Sequence, residues 1–239
     1  MQLNYKIVIT GGSGRFGSIL KKKYKSNKLF YPNKNKLNIL STKSVESYLK
    51  NIKPKILIHL AGLSRPMKIH DNDVSRSIDL NIVGTANIVK ICSKLNIKLI
   101  YFSTNYVYEG KKGNYKETDP VLPINNYAWS KLGGEASVQM YKNSLILRVC
   151  MTEEPFIHKK AFSDLKTNFI FHKDVANILF KILNKKGIIN IGGKTQSPFN
   201  FGKKYNEDIK KISAKKILPL NLSMNINKLK NILEQKNNN

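Results

Sequence analysis

The sequence predicts an α/β protein: a doubly wound parallel sheet of the Rossmann type, carrying a small C-terminal lobe. Three observations predict it. Short apolar runs alternate with amphipathic stretches of helical period from residue 5 to residue 149. The runs are apolar almost throughout, as strands covered on both faces must be, and do not alternate in polarity. A glycine-rich stretch, Gly11 to Gly17, follows the first run and opens the first amphipathic stretch, where a parallel strand turns into its crossover helix.

The elements follow in order. Residues 5–10 (YKIVIT) form a strand stopped by glycines, and 14–25 a helix. Residues 28–31 (KLFY) form a second strand ended by Pro32. Residues 43–52 are a helix with Val45, Leu49 and Ile52 on one stripe. Residues 55–60 (KILIHL) are the third strand, and 71–95 read as one long helix with Asn81 and Gly84 inside it. Residues 97–103 (IKLIYFS) are the fourth strand, followed by a polar Gly/Lys loop over 109–126. Residues 127–141 are helix, 144–149 (SLILRV) strand, 173–184 helix and 187–191 (GIINI) strand. Residues 1–150, completed by 172–191, therefore make the sheet domain. Residues 151–171 and 192–235 break the alternation and are expected to fold as a small lobe, with a disordered Asn tail at 236–239. Right-handed crossovers place ligand sites at the carboxyl ends of the strands.

Composition narrows the function classes. A chain of 239 residues with 41% hydrophobic content buries a full core without staples. The formal charge of +27 first suggests nucleic acid, but only Arg15, Arg65, Arg76 and Arg148 are arginines and the lysines are spread over the whole chain. Nucleic-acid readout leans on clustered arginine forks. With abundant Asn and Ile, the charge reads as the codon bias of an A/T-rich genome, with some attraction for an anionic small substrate. No nucleic-acid partner is expected, and no apolar run reaches membrane-spanning length. The first strand leaves no room for a signal peptide, and Cys92 and Cys150 read as buried free thiols, so a cytoplasmic protein is expected. Four scattered histidines make no metal site. His172 and Asp174 read as the start of a helix, Glu153 and Glu154 as a solvated loop, and KKGNYK (111–116) as a charged loop or a grip for a diphosphate.

The glycine stretch carries the first functional signal. Gly12-x-Gly14-x-x-Gly17 and Gly11-x-x-Gly14-x-x-Gly17 overlap in it. Such glycines permit a tight turn, a close approach of backbone to a pyrophosphate, and helix–strand packing, with the helix N-terminus attracting the anion. A dinucleotide cofactor is the reading. NAD-selective folds place an acid about 20 positions further on, at the ribose 2′-hydroxyl. Here Glu46 is the first acidic residue of the chain, while Lys34 and Lys36 follow the second strand, which favours NADP(H) over NAD(H).

The second signal is Tyr127-Ala-Trp-Ser-Lys131, at the start of a helix. Residues four apart share a face, about 6 Å apart along the axis. A phenol with a pKa of about 10 exchanges protons poorly at neutral pH. A fixed ammonium lowers that pKa and makes the phenol a general acid or base for a carbonyl or an alcohol. The fourth strand ends in Ser103-Thr104-Asn105, whose hydroxyls can hydrogen-bond a reacting oxygen.

Together these residues resemble the extended short-chain dehydrogenase/reductase superfamily, and most of all the dTDP-4-dehydrorhamnose reductases and related nucleotide-sugar reductases. Residues 103–138 (STNYVYEGKKGNYKETDPVLPINNYAWSKLGGEASV) carry the resemblance, joined by HLAG (59–62), NIVGT (81–85), Arg148, FHKDVA (171–176) and SMNINKL (223–229). The resemblance implies that Tyr127 donates a proton to the carbonyl of a nucleotide-linked keto sugar, that Lys131 holds the nicotinamide ribose, and that Thr104 hydrogen-bonds the carbonyl oxygen. It implies that Gly11, Gly14, Arg15, Phe16 and Gly17 lie along the pyrophosphate, Asn38 and Ile39 by the adenine, and Ala61 and Gly62 beneath the cofactor. It also implies a homodimer as one possible assembly. The chain departs from the family at Asn105 and Asn38, where Asp is expected, at Met151, where an aromatic residue is common, and in a shortened segment between Arg148 and His172. Two other functions share these motifs: an epimerase or dehydratase that retains its cofactor, and a non-catalytic regulatory subunit of the same fold.

Overall fold

The computed structural model describes residues 3–215 and 218–237. Six strands form one sheet, in the order β2-β1-β3-β4-β5-β9: β1 (Ile7–Thr10), β2 (Leu29–Phe30), β3 (Ile56–His59), β4 (Lys98–Thr104), β5 (Ser144–Val149) and β9 (Gly187–Ile191). β1 runs parallel to both β2 and β3, and β3 parallel to β4, with Ile7 opposite Ile56 and Ile56 opposite Lys98. The α/β, Rossmann-like sheet is thus present, and its strands are apolar because they are covered: every residue of β1, β3 and β4 is buried.

The chain forms two compact units that interleave along the sequence. One comprises the residues up to Ser103, Trp129–Ile146 and Asn184–Gly187; the other comprises Thr104–Ala128, Leu147–Leu183 and the residues from Ile188 on.

In the first unit, α1 (Arg15–Lys23) follows the glycine turn and buries Phe16, Gly17 and Leu20. α2 (Thr42–Ile52) is capped by Ser41, whose hydroxyl accepts from the Ser44 amide; it buries Val45 and Leu49, and the helix packs beside α5 (Gly84–Lys94). The single helix expected over 71–95 is a correction. The chain forms α3 (Ile69–Asn72), α4 (Val74–Ile78), a π-helical turn over Asp79–Val83, and then α5. Asp73 breaks the run because its side chain accepts from the Arg76 amide and starts α4 as an N-cap. The π turn widens the helix at Asn81, which is buried. α6 (Asn126–Gln139) begins in the second unit and continues in the first.

In the second unit, short parallel pairs join β6 (Met151–Thr152) to β8 (Ile170–Phe171) and β7 (Lys160–Phe162) to β10 (Lys210–Ile212). α7 (His172–Lys181) packs on β6 and β8, α8 (Pro198–Lys203) packs on β7, and α9 (Asn227–Asn237) closes the described sequence. A separate apolar cluster of Phe156, Ala161, Phe171, Phe199, Phe201 and Ile209 gives this region its own core, with Phe201 edge-on to Phe156 at 5.7 Å. The last two residues of the tail expected at 236–239 lie outside the described residues, and α9 runs to Asn237.

Candidate functional site

The glycine turn is built by exclusion of side chains. Gly11 has φ +70°, in the region that favours glycine, and its carbonyl accepts the Gly14 amide at 3.0 Å. A Cβ at Gly17 would stand 2.3 Å from the Gly11 oxygen, one at Gly11 2.6 Å from the Ala61 nitrogen, and one at Gly12 2.9 Å from the Tyr31 side chain. Glycine is therefore required at these three positions by the close packing of the turn on its own neighbours. Gly14 occupies the N-cap of α1 and supplies no side-chain cap, so nothing of its own covers the positive helix end. Arg15 is exposed and donates from Nη2 to Ser64 Oγ at 3.2 Å. The Phe16 ring goes to the core, 5.1 Å from that of Phe102.

The remaining cofactor-binding candidates of this unit stand on loops after strands. Asn38 Oδ1 accepts the Leu40 amide at 3.1 Å, closing the loop ahead of α2. Ile39 is buried, its carbonyl takes the Asn87 amide nitrogen at 3.0 Å, and it packs where a Cβ at Gly84 would clash. Lys34 and Lys36 are exposed. Ala61 and Gly62 follow β3, and the Ala61 amide donates to Thr10 Oγ1 at 3.2 Å.

A buried polar relay, which sequence reasoning missed, holds that loop. Thr10 Oγ1 accepts from the Leu60 and Ala61 amides, so its own proton goes to His59 Nδ1 at 2.8 Å. Thr85 spends its proton on the Asn81 carbonyl at 2.7 Å, so it accepts from His59 Nε2 at 3.2 Å. The network thereby assigns a neutral His59 with the proton on Nε2. Burial, together with the charge of Lys131, pushes its pKa down to about 3. The Asn81 side chain accepts the Leu63 amide at 2.7 Å and donates to the Leu63 carbonyl at 2.9 Å and to Ser130 Oγ at 2.8 Å. HLAG and NIVGT were visible as motifs; the pairing of their polar side chains was not.

Lys131 is half-buried on α6, with Nζ 4.2 Å from the centre of the Tyr101 ring. Burial pulls its pKa down to about 7, and the charge of Glu135 opposes that pull. Glu135 is fully buried and accepts from Ser103 Oγ at 2.5 Å and Gln139 Nε2 at 3.2 Å. Gly134 lets α6 approach closely, since a Cβ there would stand 2.4 Å from the Asn81 carbonyl.

In the second unit, Thr104 ends β4 and its Oγ1 accepts the Tyr106 amide at 3.3 Å. Asn105 is buried, with Nδ2 3.5 Å from Thr167 Oγ1. Tyr127 is half-buried in the first turn of α6. Arg148 is buried and structural: it donates to Tyr108 Oη at 2.8 Å and to the Glu117 carbonyl at 3.3 Å. The KKGNYK loop is tied down, the Asn114 and Tyr115 amides donating to Ser223 Oγ and Ser223 O at 2.9 and 3.0 Å. This gives the C-terminal SMNIN segment a role in bracing that loop. His172 is the first residue of α7, which starts one residue earlier than expected, with Phe171 at the N-cap. Glu154 pairs with Lys173 on the surface. Among the described residues no three His, Cys, Asp or Glu side chains group as metal ligands, and no helix is long and apolar enough to cross a membrane.

Comparison with known proteins puts these features in context. A methionine adenosyltransferase 2 subunit beta from Xenopus laevis is 30% identical over 154 residues, 60% of this chain and 46% of that protein. A dTDP-4-dehydrorhamnose reductase from Aggregatibacter actinomycetemcomitans is 26% identical over 202 residues, 80% of this chain and 63% of that protein. The chain thus spans about half the length of the first of these curated relatives and less than two thirds of the second. Among solved structures, dTDP-4-dehydrorhamnose reductase from Bacillus anthracis str. Ames in complex with NADP superposes with a TM-score of 0.84 at 21% identity, covering 96% of this chain and 92% of that one. The Bordetella bronchiseptica enzyme WbmG in complex with NAD and UDP gives 0.79 at 18%, covering 97% and 89%. At these identities the structural likeness speaks for the fold. A family model, the RmlD substrate binding domain, matches residues 5–153, well over half of the chain, and the chain belongs to that family.

Proposed function

We propose that this chain is a nicotinamide-dependent reductase of a nucleotide-linked 4-keto sugar, with NADP(H) preferred over NAD(H). The observation that carries the reading is the placement of Lys131: its ammonium is held over the Tyr101 ring, four residues after Tyr127 on the same helix. A lysine so placed supports proton transfer by a phenol.

In this reading the backbone of Gly11, Gly14 and Gly17, with Arg15 and Phe16 beside it, holds the pyrophosphate. Asn38 and Ile39 flank the adenine, Ala61 and Gly62 lie beneath the cofactor, and Lys131 holds the nicotinamide ribose. When bound, the nicotinamide supplies the hydride. Tyr127 gives its proton to the carbonyl oxygen of the sugar, and the Lys131 ammonium stabilises the phenolate that remains. Thr104, whose oxygen already accepts from the Tyr106 amide, donates its hydroxyl proton to the same carbonyl oxygen. The preference for NADP(H) is supported by the lack of any acidic residue before Glu46 and by the exposed Lys34 and Lys36 after β2.

The test is oxidation of NADPH and of NADH, followed by absorbance at constant salt, with a panel of nucleotide-linked 4-keto sugars. Net NADPH oxidation that Tyr127→Phe lowers by roughly 10²–10⁴-fold supports the reading. Product without net oxidation moves the chain to the epimerases. A second reading, a binding subunit without turnover, is favoured by the relative named as a subunit of methionine adenosyltransferase 2. It predicts cofactor binding, no oxidation with any sugar, and no effect of Tyr127→Phe on binding.

A further inference from the structure

We propose that Glu135 is a positioning residue for Lys131: its buried carboxylate keeps the lysine ammonium charged inside the fold. Glu135 is wholly enclosed, at 0% exposure. A carboxylate is not sequestered in this way unless donors and a counter-charge compensate it. The partners are Ser103 Oγ at 2.5 Å and Gln139 Nε2 at 3.2 Å, one on each oxygen of the carboxylate. The counter-charge is Lys131, four residues earlier on the same face of α6.

Three other titratable groups belong to the surroundings of the lysine. Tyr101, from β4, presents its ring face at 4.2 Å and ties down the helix by donating from its hydroxyl to the Lys131 carbonyl at 3.0 Å. His59, from β3, is neutral in its relay and adds no positive charge. Tyr127 precedes Lys131 by one turn on α6. Glu135 is therefore the anion that offsets the loss of water around the ammonium. Burial alone draws the proton off Lys131, and the Glu135 charge opposes it. A lysine that has lost its proton has no charge with which to steady a phenolate. The bearing of Glu135 on turnover rests on the reductase reading above; its bearing on the Lys131 proton does not.

The experiment follows the Lys131 proton directly. The full chain is labelled with ε-¹³C lysine and titrated by NMR, and the Lys131 signal is assigned by its loss in Lys131→Arg. A lysine titrating near neutrality stands clear of the ordinary lysine range. Glu135→Gln is expected to lower the Lys131 midpoint by at least about one unit, a tenfold change in proton affinity. Glu135→Asp, which keeps the charge, is expected to stay within about half a unit of the natural chain. An unchanged midpoint in Glu135→Gln overturns the proposal. Should Glu135→Gln not fold, Ser103→Ala carries the test. It keeps the charge but removes a donor that competes for it, and a midpoint raised by about half a unit is expected, no movement overturning the proposal. Where NADPH oxidation is measurable, the pH profile of kcat in Glu135→Gln moves in the same direction as the midpoint. An NMR shift in a chain that turns over no keto sugar leaves this inference standing and removes the reductase reading.

Discussion

A methyl group added at Gly17 would lie 2.3 Å from the Gly11 carbonyl oxygen, a backbone atom that cannot rotate away. Gly17→Ala is therefore expected to destabilise the protein by about 1–3 kcal/mol, by forcing the turn apart. It is also expected to remove the stabilisation that NADPH gives, which for a ligand at 100 times its Kd is about 2.7 kcal/mol. Thermal melts of both chains with and without NADPH check this; an undiminished shift in the variant would show that the turn does not hold the cofactor. His59 makes a second prediction. Its folded pKa lies near 3, below the ordinary value for histidine, so the unfolded chain binds a proton that the folded chain refuses. The contribution is present above about pH 6.5 and is lost as pH falls from there toward 3. Denaturant unfolding between about pH 4 and pH 7 should show a steeper loss of stability toward acid in the natural chain than in His59→Gln. Equal slopes would mean that His59 is not held neutral. The glycines were legible in sequence because each acts through its own backbone. His59 was not, since its tautomer depends on Thr10 and Thr85, 49 residues before it and 26 after.

Between Ile69 and Lys94 the chain changes helix type twice, and that change gives Asn81 its work. Asn81 sits in the π turn, where one extra residue per turn sets a polar side chain inward. From there it satisfies both backbone groups of Leu63 and reaches Ser130 on α6. Asn81→Ala would leave the Leu63 amide and carbonyl buried without that partner, at about 2–4 kcal/mol. The check is the urea midpoint of the variant, with Asn81→Asp as the companion, since it keeps the acceptor for the Leu63 amide but loses both donated bonds. A midpoint shift below about 0.5 kcal/mol equivalent for Asn81→Ala would remove the clamp from the account. The apolar period of 71–95 was legible and located a helical region correctly. Its interruption was not, because an Asp that caps and an Asp on an exposed helix face look alike in a linear sequence.

The formal charge of +27 belongs to the whole molecule. Glu46 pairs on the surface with both Lys50 and Lys94, at 2.8 and 2.9 Å. Such pairs add little stability, and the surplus lysines repel one another through solvent. Raising sodium chloride from about 10 to about 150 mM shortens the Debye length from about 30 to about 8 Å, so the melting temperature is expected to rise over that range. A flat or falling melting temperature would mean that the charge is locally compensated. What the sequence by itself determined was the α/β alternation, the glycine turn and the Tyr127–Lys131 spacing. Each is written in backbone freedom, apolar period or helical repeat, all of them local properties. Only the tertiary structure decided which buried polar groups answer one another: Thr10 with His59, Asn81 with Ser130, Glu135 with Ser103. Those partners stand 32 to 49 residues apart, and a hydrogen bond is set by distance in space, which no linear period encodes.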